Sequence, residues 1–403
     1  MNIMSGNSSI RVGLIGVGGF GEVHLRSLAG MEEEGSAVLS AVADPCLVEG
    51  NSQRNGFLER GVAVHTDYRN LLKAGGLDLV VIATPIPLHE EMAREAIASG
   101  VYVYLEKPPV PTIQQLLRLI DLDKLCRVTV GFQIIVSPAL QTLKRTILEG
   151  GLGEIRSITT GACWPRTAAY YGRSSWAGRM RMDDGTPVFD GPATNALAHL
   201  VHNIMFLAGS EPDGFGIPQT VTAGLYRARS IESYDAAFLA GVFPSGTKFT
   251  FAAAHCSKTT MPWELHVTGT KGRASLVEDG SLLKSDIGLS IPTVAEVVEN
   301  RLLLYRSILA WMRGDISRPP TLLADCLGYS KSTCGALLAS GGIHEIPPGH
   351  VHGFGEGPEH GCDVPEIPAL IRGALDSDLP FSGVSWSVPG REIALAQLDR
   401  VDV

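Results

Sequence analysis

The sequence has no run of about 18 apolar residues, the length that spans a bilayer as a helix, and no block of consecutive lysines and arginines. The first absence excludes a helical membrane span. The second, together with a formal net charge of −9, leaves nothing to hold a phosphate backbone, so no nucleic acid is expected as a partner. No two of the seven cysteines form a CxxC pair, and their number is odd. That argues for free thiols in a reducing compartment, and hence for a cytoplasmic protein. The first ten residues, MNIMSGNSSI, lack the basic and apolar regions of a secretory signal. Internal repeats are also missing.

What is present is the composition of a globular, turn-rich protein: 45% hydrophobic and 19% charged, with 46 glycines and 24 prolines. A length of 403 residues predicts more than one domain.

The run IRVGLIG (10–16) reads as a short strand that ends in Gly16-Val17-Gly18-Gly19-Phe20-Gly21, and EVHLRSLAGM follows as a helix. Strand, glycine turn and helix N-terminus form the context in which GxGxxG cradles a dinucleotide. Gly16 allows the turn, Gly18 lets the backbone approach a pyrophosphate, and Gly21 lets the helix pack close to the strand; Gly19 and Phe20 lie in the same turn. Unpaired N–H groups at the helix start then face the phosphates.

A second buried strand, AVLSAVA (37–43), ends at Asp44, 23 positions after Gly21. A carboxylate there accepts hydrogen bonds from ribose hydroxyls and repels a 2′-phosphate, which favours NAD over NADP. The competing reading is a solvated acid in the turn before Pro45. Further strands at 79–83, 101–105 and 128–132 alternate with helical patterns at 88–99 and 112–124, the mark of a doubly wound parallel sheet. Ligands of such sheets sit at the carboxyl ends of the strands. Ala83-Thr84-Pro85, with His89 shortly after, and Glu106-Lys107-Pro108 fall there.

Farther along, NALAHLVH (195–202) sets Asn195, His199 and His202 at i, i+4 and i+7, one face of a helix whose other members are apolar. Two hydrogen-bonded core histidines would explain it, and so would a polar face turned to a ligand. Metal ligation would need a third partner, and none stands at motif spacing, so no metal is expected.

On GVGGFG (16–21), IATPIPLHEEMAREAIASGVYVYLEKP (82–108), GFQ (131–133), ILEGGLGEI (147–155) and HLVHNIMFLAG (199–209), the chain resembles the Gfo/Idh/MocA family of sugar and polyol oxidoreductases. The resemblance implies an α/β architecture: a doubly wound Rossmann domain over 1–133, then an α+β domain over 134–345 with a large open, mostly antiparallel sheet. Residues 346–403 are expected as a loop and tail packed on the body.

It also implies site residues. Lys107 would lie beside the nicotinamide and the reacting hydroxyl, held by Glu106, with a cis bond before Pro108. Thr84, Pro85 and His89 would line the cofactor, although His89 could equally cap or pack. Gln133 stands where the family usually has asparagine at the nicotinamide end. In the second domain the family's D-x-x-x-H pattern maps His199 onto the proton-transfer residue, Asn195 onto its acid and His202 onto a second acid. Asn195 cannot exchange a proton, so Asp190, whose other role would be to cap a helix beginning near Pro192, is the nearby carboxylate.

Tyr170, Arg173, Trp176 and Arg179, in a polar stretch at 170–185, suit a carbohydrate-like substrate, apolar on its faces and polar at its edges. Interdomain packing is the other reading of these aromatics. From about 219 the chain is β-rich, and helices are expected near 294–314 and at 321–340. A sheet with one uncovered apolar face points to a homo-oligomer, a dimer or tetramer. The stretch PPGHVHGFGEGPEHG reads as a solvated loop, and PEIPALIRGAL as a short helix. The implied function is an NAD-dependent dehydrogenase of a sugar or cyclitol hydroxyl. The alternatives are a glycoside hydrolase or lyase that uses bound NAD for transient oxidation, and a non-catalytic nucleotide sensor.

Overall fold

The computed structural model describes residues 9–277, 283–288, 300–377, 381 and 383–403. Along the first third run β1 (Ile10–Ile15), α1 (Phe20–Glu33), β2 (Ala37–Ala43), α2 (Ser52–Glu59), β3 (Ala63–His65) and α3 (Tyr68–Ala74). They are followed by β4 (Leu79–Ile82), α4 (His89–Ser99), β5 (Tyr102–Leu105), α5 (Ile113–Leu122) and β6 (Val128–Val130). Local chemistry sets several of these boundaries. Asn51 and Asp67 cap α2 and α3 by accepting the N–H groups of Arg54 and Arg69, and α4 stops at Gly100 in the left-handed region.

The strands pair in the order β3-β2-β1-β4-β5-β6, all parallel. That is the Rossmann order, with its topological switch between β1 and β4. The three-residue β3 was absent from the sequence reading; it is too short to show a period of its own.

Next come α6 (Pro138–Leu148), β7 (Ile155–Cys163), α7 (Ala168–Gly172), a π-helical turn (Pro192–Ala196), α8 (Ala198–Ala208), β8 (Thr220–Arg227), β9 (Ala236–Val242) and β10 (Lys248–Ala254). The chain continues through β11 (Met261–Gly269), β12 (Arg273–Val277), β13 (Leu283–Ser285), α9 (Asn300–Arg313) and α10 (Leu327–Ser340). It ends with β14 (His344–Glu345), β15 (His352–Phe354), β16 (Gly361–Asp363), α11 (Ile367–Ser377) and β17 (Ile393–Ala394). The second sheet runs β13-β12-β11-β7-β10-β9-β8-β14, with β17 also on β8. It is mixed: β7 with β10 and β8 with β14 are parallel, the other pairs antiparallel.

By contacts the chain divides into two compact units, Met1–Val110, Gln115–Val136 and Glu296–Ala324 in the first, and Pro111–Gln114, Ser137–Ala295 and Asp325–Val403 in the second. The first is thus not contiguous. α9 falls inside the span expected for the second domain, yet its Leu304, Tyr305, Ile308 and Trp311 share a core with Ile10, Val12, Leu28 and Met31. The expected start of that helix near 294 lies outside the described residues.

Two expectations are corrected in the second unit. The face of the sheet thought to be open is covered in part by the same chain, where Ile371, Leu375, Phe381 and Trp386 pack on Phe238, Ala252 and Tyr226. The histidine-rich stretch after Ile346 is no plain loop, because β15 and β16 pair there as an antiparallel ribbon. His350 Nδ1 donates to Glu366 Oε1 at 2.8 Å. Among the described residues no helix is long and apolar enough to cross a membrane.

Candidate active site

The glycine turn leaves β1 at Gly16, whose φ of 86° belongs to the left-handed region. A Cβ on Gly21 would stand 2.1 Å from the Gly16 carbonyl oxygen, so α1 packs against the turn at a distance only glycine permits. A Cβ on Gly18 would meet nothing within 4 Å. That side of the turn is open. Gly19 forms the N-cap of α1 with no side-chain cap, and Phe20, 40% exposed, opens the helix with the Arg301 guanidinium 5.1 Å from its ring.

Asp44 follows β2 and reaches back to this turn. Its Oδ2 accepts the Val17 N–H at 3.0 Å and its Oδ1 the Cys46 N–H at 2.9 Å. Each carboxylate oxygen keeps a lone pair after one such bond, so ribose hydroxyls can still be received.

Beyond β4 and β5, two loops are tied together by His89. It is buried, with Nδ1 2.9 Å from the Pro108 carbonyl and Nε2 2.9 Å from the Thr84 carbonyl. Burial lowers its pKa, against the raising effect of the two carbonyls and of Glu106. A neutral imidazole donates to only one of the two. Thr84 Oγ1 lies 3.4 Å from the Met92 sulfur, and Pro85 is exposed.

The Lys107–Pro108 bond is cis. Glu106 is buried and is gripped from several sides: Oε1 faces His24 Nε2 at 3.1 Å and accepts the Tyr104 hydroxyl at 3.3 Å, while Oε2 accepts the Lys107 N–H at 3.0 Å. His24 Nδ1 continues the chain to the Tyr305 hydroxyl at 2.7 Å. Burial alone would raise Glu106, but the hydrogen bond and charge of His24, with Lys107 beyond, hold it below the ordinary carboxylate range. The sequence reading missed His24 and Tyr305. Only the position of His24 on the buried face of α1 could have pointed to it. Gln133 opens a short 3-10 turn after β6, and its buried Oε1 has no hydrogen-bond partner among the described residues.

In the second unit the stretch around Asn195 departs from the regular helix expected. Pro192–Ala196 is π-helical and Leu197 breaks it at φ −113°, so α8 starts afresh at Ala198 and Asn195 is not one regular turn below His199. Irregular turns of this kind concentrate at functional sites. Asp190 does not cap the turn; Gly191 holds that position. Instead Asp190 Oδ1 accepts the Asn195 Nδ2–H at 2.7 Å, and Oδ2 accepts the Gly178 N–H at 2.7 Å. Phe189 just before it sits at φ 51°, a left-handed conformation that costs a non-glycine residue roughly 1–2 kcal/mol.

His199 is 9% exposed. His202 is wholly buried against the rings of Phe215, at 4.8 Å, and Tyr329, at 6.4 Å, and burial pushes its pKa down to about 3. Arg173 lies 3.6 Å from the Tyr170 ring and 4.9 Å from that of Trp176. Arg179 turns away to Asp183 at 2.6 Å and Glu232 at 3.5 Å. All seven cysteines are unbridged, and among the described residues no cluster of three or more His, Cys, Asp or Glu could hold a metal ion.

The family model for the oxidoreductase family with an NAD-binding Rossmann fold, GFO_IDH_MocA, matches residues 10–132, and the model for the GFO/IDH/MocA C-terminal domain matches residues 140–275. Inositol 2-dehydrogenase 4 of Saccharopolyspora erythraea is 35% identical over 150 residues, 36% of this chain and 43% of that protein. The rhizopine catabolism protein MocA of Rhizobium meliloti is 26% identical over 214 residues, 53% of this chain and 61% of the relative. The matched stretch thus spans less than two thirds of either relative. Among solved structures, the WlbA dehydrogenase of Bordetella pertussis in complex with NADH and UDP-GlcNAcA superposes with a TM-score of 0.72 at 21% identity, over 83% of this chain and 96% of that one. At that identity the likeness speaks for the fold.

Proposed function

The chain belongs to the Gfo/Idh/MocA oxidoreductase family, and from that premise we propose that it is an NAD-dependent dehydrogenase of a secondary hydroxyl on a sugar, cyclitol or sugar derivative. The observation that carries the reading is topological. One parallel sheet has the glycine turn after β1, Asp44 after β2, and Glu106 and Lys107 after β5, all at the carboxyl ends where such sheets take their ligands.

The residues present fit a nicotinamide dinucleotide. Gly16 to Gly21 would receive the pyrophosphate, Asp44 the ribose hydroxyls, and the orphaned Gln133 Oε1 the carboxamide. Bound there, the nicotinamide ring supplies the acceptor for hydride. Lys107 orients the substrate oxygen by hydrogen bonding, its backbone fixed by Glu106. His199 takes the hydroxyl proton, an exchange suited to imidazole near neutral pH. Asn195 orients a neighbouring hydroxyl, with its amide steadied by Asp190. The bond from Asn195 to the Asp190 carboxylate supports the dehydrogenase reading over the sensor one.

Unbridged cysteines support a cytoplasmic location. A homo-oligomer, dimer or tetramer, remains part of the proposal, and light scattering would measure it. The functional test is absorbance at 340 nm with NAD and a panel of sugars and cyclitols. Steady growth is expected. Product release without net NADH would move the protein to the hydrolase class, and ligand binding without turnover to the sensor class.

A further inference from the structure

We propose that the second unit carries a subsite for a negatively charged substituent of the sugar, formed by Arg166, Arg173 and His255, so that the substrate is an acidic sugar bearing a carboxylate or phosphate. The inference rests on the dehydrogenase reading and narrows its substrate class.

β7 and β10 are parallel neighbours, with Ala254 paired to Cys163, so the segments that follow them emerge side by side. Trp164 N–H donates to the Ala254 carbonyl at 2.9 Å and Arg166 N–H to the His255 carbonyl at 3.1 Å. His255 is 3% exposed, and its Nδ1 lies 2.9 Å from the Trp164 carbonyl. Facing a carbonyl, Nδ1 must carry the proton, which leaves Nε2 as a bare acceptor. Nε2 is buried and has no hydrogen-bond partner among the described residues. Burial, then the charges of Arg166 and Arg173, push this imidazole down to about 3, so it stays neutral and can receive a hydroxyl proton donor.

The guanidinium groups of Arg166 and Arg173 stand 4.7 and 3.6 Å from the Tyr170 ring. Stacking occupies a guanidinium's face and leaves its N–H edge for an anion. Arg173 spends one Nη1–H on the Tyr170 carbonyl, whereas Arg166 Nε is buried without a hydrogen-bond partner. No ion pair among the described residues engages either arginine, in contrast to Arg179. Asp190, whose charge acts on Tyr170, has both oxygens engaged, by Gly178 and Asn195. Two arginine edges beside an acceptor match an anionic group with an adjacent hydroxyl.

The test uses the whole chain and matched ligands: glucuronate, glucose 6-phosphate and glucose, measured both by calorimetry and by NADH formation. At least one acidic sugar is expected to bind tenfold or more tightly than glucose, and the exposed-site variant Arg173→Gln to erase that preference without a fall in melting temperature. Preference for glucuronate or for the phosphate identifies the anion. Equal binding of acidic and neutral sugars, or a preference untouched by Arg173→Gln, overturns the subsite. Acidic-sugar binding that depends on Arg173 without NADH formation keeps the subsite and sinks the dehydrogenase reading instead.

Discussion

Asp190 Oδ1 accepts the Asn195 amide N–H at 2.7 Å, so the amide proposed above to orient a substrate hydroxyl has a carboxylate directly behind it. The bond fixes which way the amide points: Nδ2 toward Asp190, Oδ1 away from it. Phe189 in the left-handed region and the π-helical turn at Pro192–Ala196 flank that contact. Asp190→Asn should lower kcat by roughly 100-fold, the scale of a lost acid–base arrangement, with NAD affinity unchanged. Steady-state kinetics with NAD calorimetry would check it.

Asn195→Asp is expected to do harm rather than restore the family pattern. Two carboxylates at this separation cannot both ionise, so one would hold a proton with a raised pKa. The pH–rate profile of the variant should gain an additional ionisation, and combining it with Asp190→Asn should recover most of the lost turnover. Failure of the double variant to exceed the worse single one would remove the pair from the mechanism.

Asp44 ties the cofactor turn to the end of β2 through Val17 and Cys46. Asp44→Ala should weaken NAD by about tenfold, or ~1.4 kcal/mol, and narrow the preference over NADP. Titration of both cofactors measures this; an unmodified protein that prefers NADP would contradict the ribose assignment.

These contacts divide cleanly into what a sequence carries and what it does not. The Rossmann half was legible because each of its signals is local: IRVGLIG into the glycine turn, AVLSAVA into Asp44, and LEKP at a strand end. The strand Ile155–Cys163 went unread although Gly150, Gly151 and Gly153 mark a turn just before it, and α9 was assigned by chain position although its apolar face packs on the first sheet. The bond between Asp190 and Asn195 depends on a π turn that no periodicity announces. His24 and Glu106 are 82 residues apart and meet only through the fold.

Stability should fall on the acid side of neutrality. His202 and His255 both sit near 3 when folded, so between about 3 and their ordinary value of 6.5 the unfolded chain binds protons that the folded one refuses. Stability therefore rises with pH across that window, by at most ~1.4 kcal/mol per pH unit for each group. Asp235, raised to about 6 by burial, opposes them, because there the folded state holds the extra proton. Two groups outweigh one. Melting temperature should drop from pH 7 to pH 4, and His202→Leu should flatten that drop; an unchanged slope would contradict the neutral, buried state of His202.

The central proposal is that the protein removes hydride from a carbinol carbon of the substrate. Its most direct measurement is isotope transfer: a sugar or cyclitol substrate deuterated at the reacting carbon is turned over with NAD, and the reduced cofactor is analysed by mass spectrometry. The account predicts stoichiometric deuterium in NADH. It further predicts loss of that signal by ~100-fold or more in Lys107→Ala and His199→Ala, both still binding NAD. Unlabelled cofactor alongside product, or undiminished transfer in both variants, would contradict it.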